Sequence, residues 1–348
     1  MTSGIPTELH MHLNWVVRRL SGSRAGPKRR RAGERGEFMM PPGALQIPPK
    51  HILAAIDFSP HSLSALKFVS PIAREFHSTL HLVHVIPPAH PALNPSPATH
   101  SEIDPALRQK TEQALRKLMI MPAAVPQRVW VLQGEIATAI EGLVRSEHID
   151  LIAVGSSGKS ELKKFFIGSV ADEILRAATC PVLAVGPHVQ PEGFLKVSQL
   201  LYITSLWEES HEGLRYAISW TRRTQARLMI LHVIEQNEPS GGAEEWLTKY
   251  RRMLRNLLPA SPGDLSADPV LRVEVARHVV GRILQVADEI HADLIVMDVR
   301  PEEPWATHLR DKVYEIIAYA NCPVLTCRTM RGNGNASVGE QDEQRRKS

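Results

Sequence analysis

The chain has 348 residues, 43% hydrophobic and 22% charged, which is the balance of an ordinary globular protein and excludes a fibre or an unfolded chain; the length suits about two domains. Its three cysteines exclude a disulfide framework, and no apolar run reaches the ~18 residues of a spanning helix, so a cytoplasmic protein without membrane contact is expected. The formal net charge of +4 is concentrated at one end: residues 1–50 carry nine Lys/Arg against three acids, which leaves −2 for residues 51–348 and no basis for a specific nucleic-acid surface.

Residues 1–46 lack sustained periodicity and read as a basic, disordered extension, with residues 1–38 dispensable and Met39-Met40 an alternative start. From His51 the pattern becomes regular. His51–Ile56 predicts a strand ending at Asp57, and Ser62–Phe76 a helix with Leu63, Leu66, Val69 and Ile72 at helical spacing. Thr79–Ile86 is the second strand, and the prolines of residues 87–100 impose an irregular loop. A helix over Ser101–Met119, a strand over Gln127–Gln133, a helix over Glu135–Ser146 and a strand over Asp150–Val154 follow. After a glycine loop comes a helix with Val170 and Ile174 inward, then the strand Val182–Val185. Strands alternating with helices predict a parallel sheet wrapped on both faces.

A Pro/Gly-containing linker, residues 187–198, precedes a repeat of the plan. Leu80–Ile86 recurs as Leu228–Ile234, Asp150-Leu151-Ile152 as Asp293-Leu294-Ile295, and Cys180-Pro181-Val182-Leu183 as Cys322-Pro323-Val324-Leu325. The offsets of 148, 143 and 142 residues differ little, so one domain has been duplicated. The expected organisation is a domain over 47–187, a second over 198–328 and a disordered tail over 329–348, each domain with its own five-stranded sheet rather than one sheet running through 51–328.

The chemistry concentrates in Gly155 to Ser169, GSSGKSELKKFFIGS. A buried strand ends at Gly155, Gly158 follows, and Gly168-Ser169 opens a helix. Glycines let backbone N–H groups approach a ligand, and a helix N-terminus favours an anion, so the stretch reads as a phosphate cradle; a glycine-containing βα loop without a ligand is the alternative. The spacing Gly-x2-Gly-x9-Gly-Ser resembles the ATP-binding branch of the universal stress protein family, over residues 50–187 closely and 198–328 in outline. The resemblance implies two tandem domains of the adenine nucleotide α-hydrolase-like, Rossmann-like α/β fold. It also implies ATP, with or without Mg2+, held by Gly155, Gly158, Gly168 and Ser169. Asp57 would accept a hydrogen bond from the adenine, the Val85 backbone would meet the ring edge, and Val154 and Val170 would flank the phosphate loop. An N-cap role for Asp57 competes with this assignment.

Lys159, Lys163 and Lys164 read as solvated or phosphate-screening, His84 and His232 as structural, and His77 and His81 as no metal set. No catalytic constellation is legible, with Glu161 the one loop carboxylate, so slow hydrolysis at most is expected. In the second half Asp298, Pro301 and Arg310-Asp311 replace the cradle residues and Ser205 replaces Asp57, which reads as a lost site with added negative charge where phosphates would sit. In the family the last strand mediates dimerisation, implying an internal pseudo-dimer of the two domains, with a homodimer also open. The resulting expectation is a stress-response regulator with one nucleotide site; a ligand-independent interaction protein and a weak ATPase are the alternatives.

Overall fold

The computed structural model describes residues 49–87, 104–118, 125–156, 167–190, 196–206, 211–235, 243–258, 268–299 and 307–328. In the first half the order is β1 (His51–Ala55), α1 (Pro60–Phe76), β2 (Thr79–Ile86), α2 (Pro105–Lys117), β3 (Gln127–Gln133), α3 (Ile136–Ser146), β4 (Leu151–Gly155), α4 (Ser169–Ala177) and β5 (Val182–Val185). The second half repeats it as β6 (Gln199–Ile203), α5 (Glu212–Thr224), β7 (Arg227–Glu235), α6 (Ala243–Leu257), β8 (Val270–Ala276), α7 (Val279–Glu289), β9 (Leu294–Val299), α8 (Thr307–Tyr319) and β10 (Val324–Arg328).

Strands covered on both faces need apolar side chains at successive positions, and β1, β4, β5 and β10 supply them: Ile52, Leu53, Ile152, Leu183, Val324 and Leu325 are fully or almost fully buried. One core lies between the sheet and α1, α2, α5 and α6; the other lies beneath α3, α4, α7 and α8. The strand order is β3-β2-β1-β4-β5-β10-β9-β6-β7-β8. Within each half the pairings are parallel, with Ile52 opposite Leu151 and Leu200 opposite Leu294.

The expectation of two separate sheets is corrected here. β5 and β10 pair antiparallel, with Leu183 opposite Leu325, and fuse the halves into one ten-stranded sheet. The fusion follows from exposed edges: each half ends on a short apolar strand whose open N–H and C=O row is satisfied by the other. The linker ends are also packed, since Val189 and Val197 are buried in the first core.

Duplication reaches the details. Among the described residues, the non-glycine residues in left-handed backbone conformation come in counterpart pairs: Phe58 and Leu206, His77 and Gln225, His148 and His291. His77 and Gln225 end α1 and α5 as their C-caps. Asp150 Oδ2 accepts the backbone N–H groups of Lys50 and His51 at 2.7 and 2.8 Å; Asp293 Oδ2 accepts those of Ser198 and Gln199 at 2.8 and 2.9 Å. Each carboxylate thus satisfies the amides at the start of its domain's first strand.

Candidate functional site

Parallel strands leave a crevice beyond their carboxyl ends. In the first half it is a shallow cleft open to solvent. β1 contributes Ala55, with Asp57 just beyond it; β2 contributes Val83, His84 and Val85; β4 contributes Val154 and Gly155. Val170 and Ala171 of α4 close one side, and Ile136 and Ile140 of α3 form an apolar wall. The structure therefore brings together Asp57, Val85, Val154, Gly155 and Val170. Gly168 and Ser169 open the helix whose next residue lines the cleft, while Gly158, Lys159, Glu161, Lys163 and Lys164 lie outside the described residues.

The Asp57 side chain is exposed, and its Oδ1 accepts the Ser59 N–H at 2.9 Å. Burial pushes its carboxyl up, but hydrogen bonds from Ser59 and Ser62 outweigh this and hold it below its ordinary value. Ser59 caps α1, accepting the Ser62 N–H at 3.2 Å. Asp57 is therefore released from the capping role and stays a carboxylate at the cleft. Between them Phe58 holds φ of 60°, which turns the chain from strand to helix.

Gly168 is the N-cap of α4 and brings no side chain to the helix mouth. Val170 and Ala171 in its first turn line the cleft. Gly155 has a further reason to be glycine: a Cβ there would lie 2.2 Å from the carbonyl carbon and oxygen of His61 and 2.6 Å from Ser62 N. Close packing of α1 on β4 requires it, on the sheet face opposite Val154. His84 Nδ1 donates to the Ile56 carbonyl at 2.6 Å, and His232 Nδ1 donates to the Thr204 carbonyl at 2.9 Å. Both rings clamp the end of a neighbouring strand. Reasoning from the motif missed the α3 wall, although Ile136 and Ile140 stand one helical turn apart on an amphipathic segment.

The second half differs by construction. Ile203, Leu231 and Met297 stand where the first half has Ala55, Val83 and Val154, so larger side chains occupy the wall positions. α8 begins at Thr307, before Asp311, the counterpart of Ser169. The counterparts of the first residues of α4 are therefore internal to α8. Lys312 takes the place of Val170 and pairs with Glu235 at 2.8 Å. Asp298, the counterpart of Gly155, does not project into the cleft as the sequence reading supposed. It accepts the Gly213 N–H at 2.7 Å and the Tyr202 hydroxyl at 2.6 Å, on the α5 face of the sheet.

The cysteines are free thiols: Cys322 and Cys327 are buried and Cys180 half-buried. Burial pushes the Cys180 and Cys322 thiols up to about 12, so they are packing groups rather than nucleophiles. Among the described residues no helix is long and apolar enough to cross a membrane.

A mostly parallel ten-stranded sheet built from two tandem domains, with a cleft at the strand ends of the first, defines the adenine nucleotide α-hydrolase-like class of α/β proteins. The universal stress protein family profile matches residues 49–186 and again 198–328. The chain belongs to that family. It is 35% identical to universal stress protein A homolog 1 of Coxiella burnetii over 138 residues, covering 39% of this chain and 95% of that protein. A universal stress protein of Methanocaldococcus jannaschii is 30% identical over 138 residues, covering 39% of this chain and 81% of that protein. The fold of the tandem pair matches a universal stress protein from Archaeoglobus fulgidus with a TM-score of 0.59 at 21% identity, covering 80% of this chain and 98% of that one.

Proposed function

We propose that the chain is a regulatory universal stress protein that binds one ATP, in the domain of residues 47–187, with residues 198–328 as a partner domain that has lost its site. The observation that carries this reading is the cleft itself, which brings the Asp57 carboxylate and the apolar residues Val85, Val154, Ile136 and Ile140 together with Val170 in the first turn of α4. Adenine nucleotides are common ligands of the family. The apolar walls from Val85, Val154, Ile136 and Ile140 suit a planar base, Asp57 suits its exocyclic amino group, and Ser169 with the first-turn amides suits phosphate oxygens. An accompanying Mg2+ would be held through phosphate and water, because no group of three or more ligating side chains gathers among the described residues. Three free cysteines agree with a reducing, cytoplasmic setting. The basic extension 1–46 and the tail 329–348 have no part in the site on this reading.

Calorimetric titration of the full chain with ATP is expected to give saturable binding of about one nucleotide per chain, and native mass spectrometry to detect nucleotide carried through purification. Gly168→Arg, which copies the second half's Arg310, is expected to abolish binding while the far-ultraviolet dichroism stays native. A folded wild-type chain without saturable binding would overturn the proposal, as would undiminished binding by the variant.

A further inference from the structure

The seam between the halves has a pseudo-two-fold axis. Leu183 and Leu325, counterparts 142 residues apart in the repeat, face each other in the β5–β10 register. In a pair of identical domains, a position near such an axis would meet its own copy. Here three contacts join unlike residues at related positions. Asp172 on α4 accepts a hydrogen bond from the Tyr314 hydroxyl on α8, and these two residues are themselves counterparts at the same offset. Burial, then the neighbouring Asp172 carboxylate, pushes the Tyr314 phenol up, which keeps it a donor.

The second contact involves Gly186, after β5, and its counterpart Arg328. A Cβ on Gly186 would lie 2.2 Å from the Ile317 carbonyl oxygen in α8, so only glycine fits against that helix. On the related side the Arg328 guanidinium donates to the Arg176 carbonyl in the last turn of α4, a cation at a helix C-terminus. The third lies on the opposite sheet face, where Phe76 of α1 meets Trp220 of α5 edge-to-face at 5.0 Å between ring centroids. The counterparts of these two rings are Thr224 and Ile72, so the aromatic pair exists only between unlike halves.

We infer that the seam is a self-rejecting interface: the face of each half fits the opposite half of the same chain and rejects a second copy of itself. Two first halves would bring Asp172 against Asp172. Two second halves would leave both Tyr314 hydroxyls without their carboxylate acceptor and would lose the close glycine contact. These residues lie outside the cleft, and the inference stands whether or not ATP binds there.

Full-length D172C, Y314C and D172C/Y314C chains treated with a short bis-maleimide test it, with the wild type setting the background from its own cysteines. The double variant is expected to give an intrachain link between positions 172 and 314, read by peptide mass spectrometry, as its dominant product. The single variants are expected to remain at single-chain mass. Chain-to-chain linkage of D172C or Y314C would overturn the inference, and so would a double variant that links only between chains or not at all. The exchange variant D172Y/Y314D supplies a readout independent of cysteine chemistry. Its urea midpoint is expected to recover part of the loss seen in D172Y and Y314D separately, whereas losses that simply add would overturn the complementarity.

Discussion

His81→Met copies into β2 the residue that the second half carries at the same place, Met229, and should reshape the acid response of the whole chain. His81 is fully buried. Trp130 Nε1 donates to its Nδ1 at 3.1 Å, so the ring proton sits on Nε2, which donates to His51 Nδ1 at 3.1 Å. A second ring proton would point at the indole N–H. Burial, then the proximity of His51, pushes the His81 imidazolium down from 6.5 to about 4; Glu147 opposes this and Arg128 adds to it. The unfolded chain therefore takes up this proton near 6.5 and the folded chain only near 4. Stability from His81 is complete above the unfolded value and lost as pH falls through that window, by about 3 kcal/mol in all. Urea midpoints measured across the window should fall steeply for the wild type. They should fall less for the variant, which will also be weaker at neutral pH by about 1–3 kcal/mol because Trp130 and His51 lose their partner. An identical pH slope in the two proteins would refute this account.

Gly155→Ala should destabilise the fold by about 3 kcal/mol or more in thermal or urea unfolding, because the new methyl group meets the backbone of His61 and Ser62 rather than a movable side chain. Asp57→Ala should weaken ATP binding by about 1–3 kcal/mol in calorimetry while the unfolding midpoint stays close to wild type, since Ser59 supplies the cap of α1. Lys312→Ala removes an ion pair with Glu235 whose side chains are 41% and 54% exposed, so it should change stability by under about 1 kcal/mol and should not add a second nucleotide to the binding stoichiometry.

Much of the architecture is legible in the sequence because burial on both faces leaves uninterrupted apolar runs. Leu151-Ile152-Ala153-Val154 and its counterpart Leu294–Met297 mark the central strands, and the CPVL pairs mark the ends of the two halves. The fusion of the sheets is harder to read, because strand pairing across a seam depends on edges rather than on periodicity. The cleft follows from strand ends plus helix start, which places Asp57, Val85, Val154, Gly155 and Val170 around one opening. The α3 wall belongs to no local motif; its residues reach the cleft only through the crossover. Gly155 shows a different limit. Its residue type is legible, but the steric demand comes from α1, which lies far away in sequence. The same holds for Asp298, whose partners Tyr202 and Gly213 can be identified only once β6, β9 and α5 are in place.

The two halves show how one fold can change the walls of a crevice without touching its framework. The carboxylates Asp150 and Asp293, the clamps His84 and His232, and the left-handed Phe58 and Leu206 all persist, because they hold strand ends in place. What changes lies in the wall and at the helix mouth. Enlarging Ala55 to Ile203 and Val154 to Met297 increases the apolar volume at the wall, and beginning α8 earlier places the counterparts of the first α4 residues inside a helix, where their amides bond within it. The helix extension is the more decisive of the two. Side-chain bulk can shift to another rotamer, but an amide bonded within a helix can meet an anion only if the first turn unwinds. Restoring glycine at Arg310 alone is therefore expected to leave the isolated second half without saturable ATP binding in calorimetry, because the amides of Asp311 and Lys312 lie inside α8; binding by that variant would refute the argument.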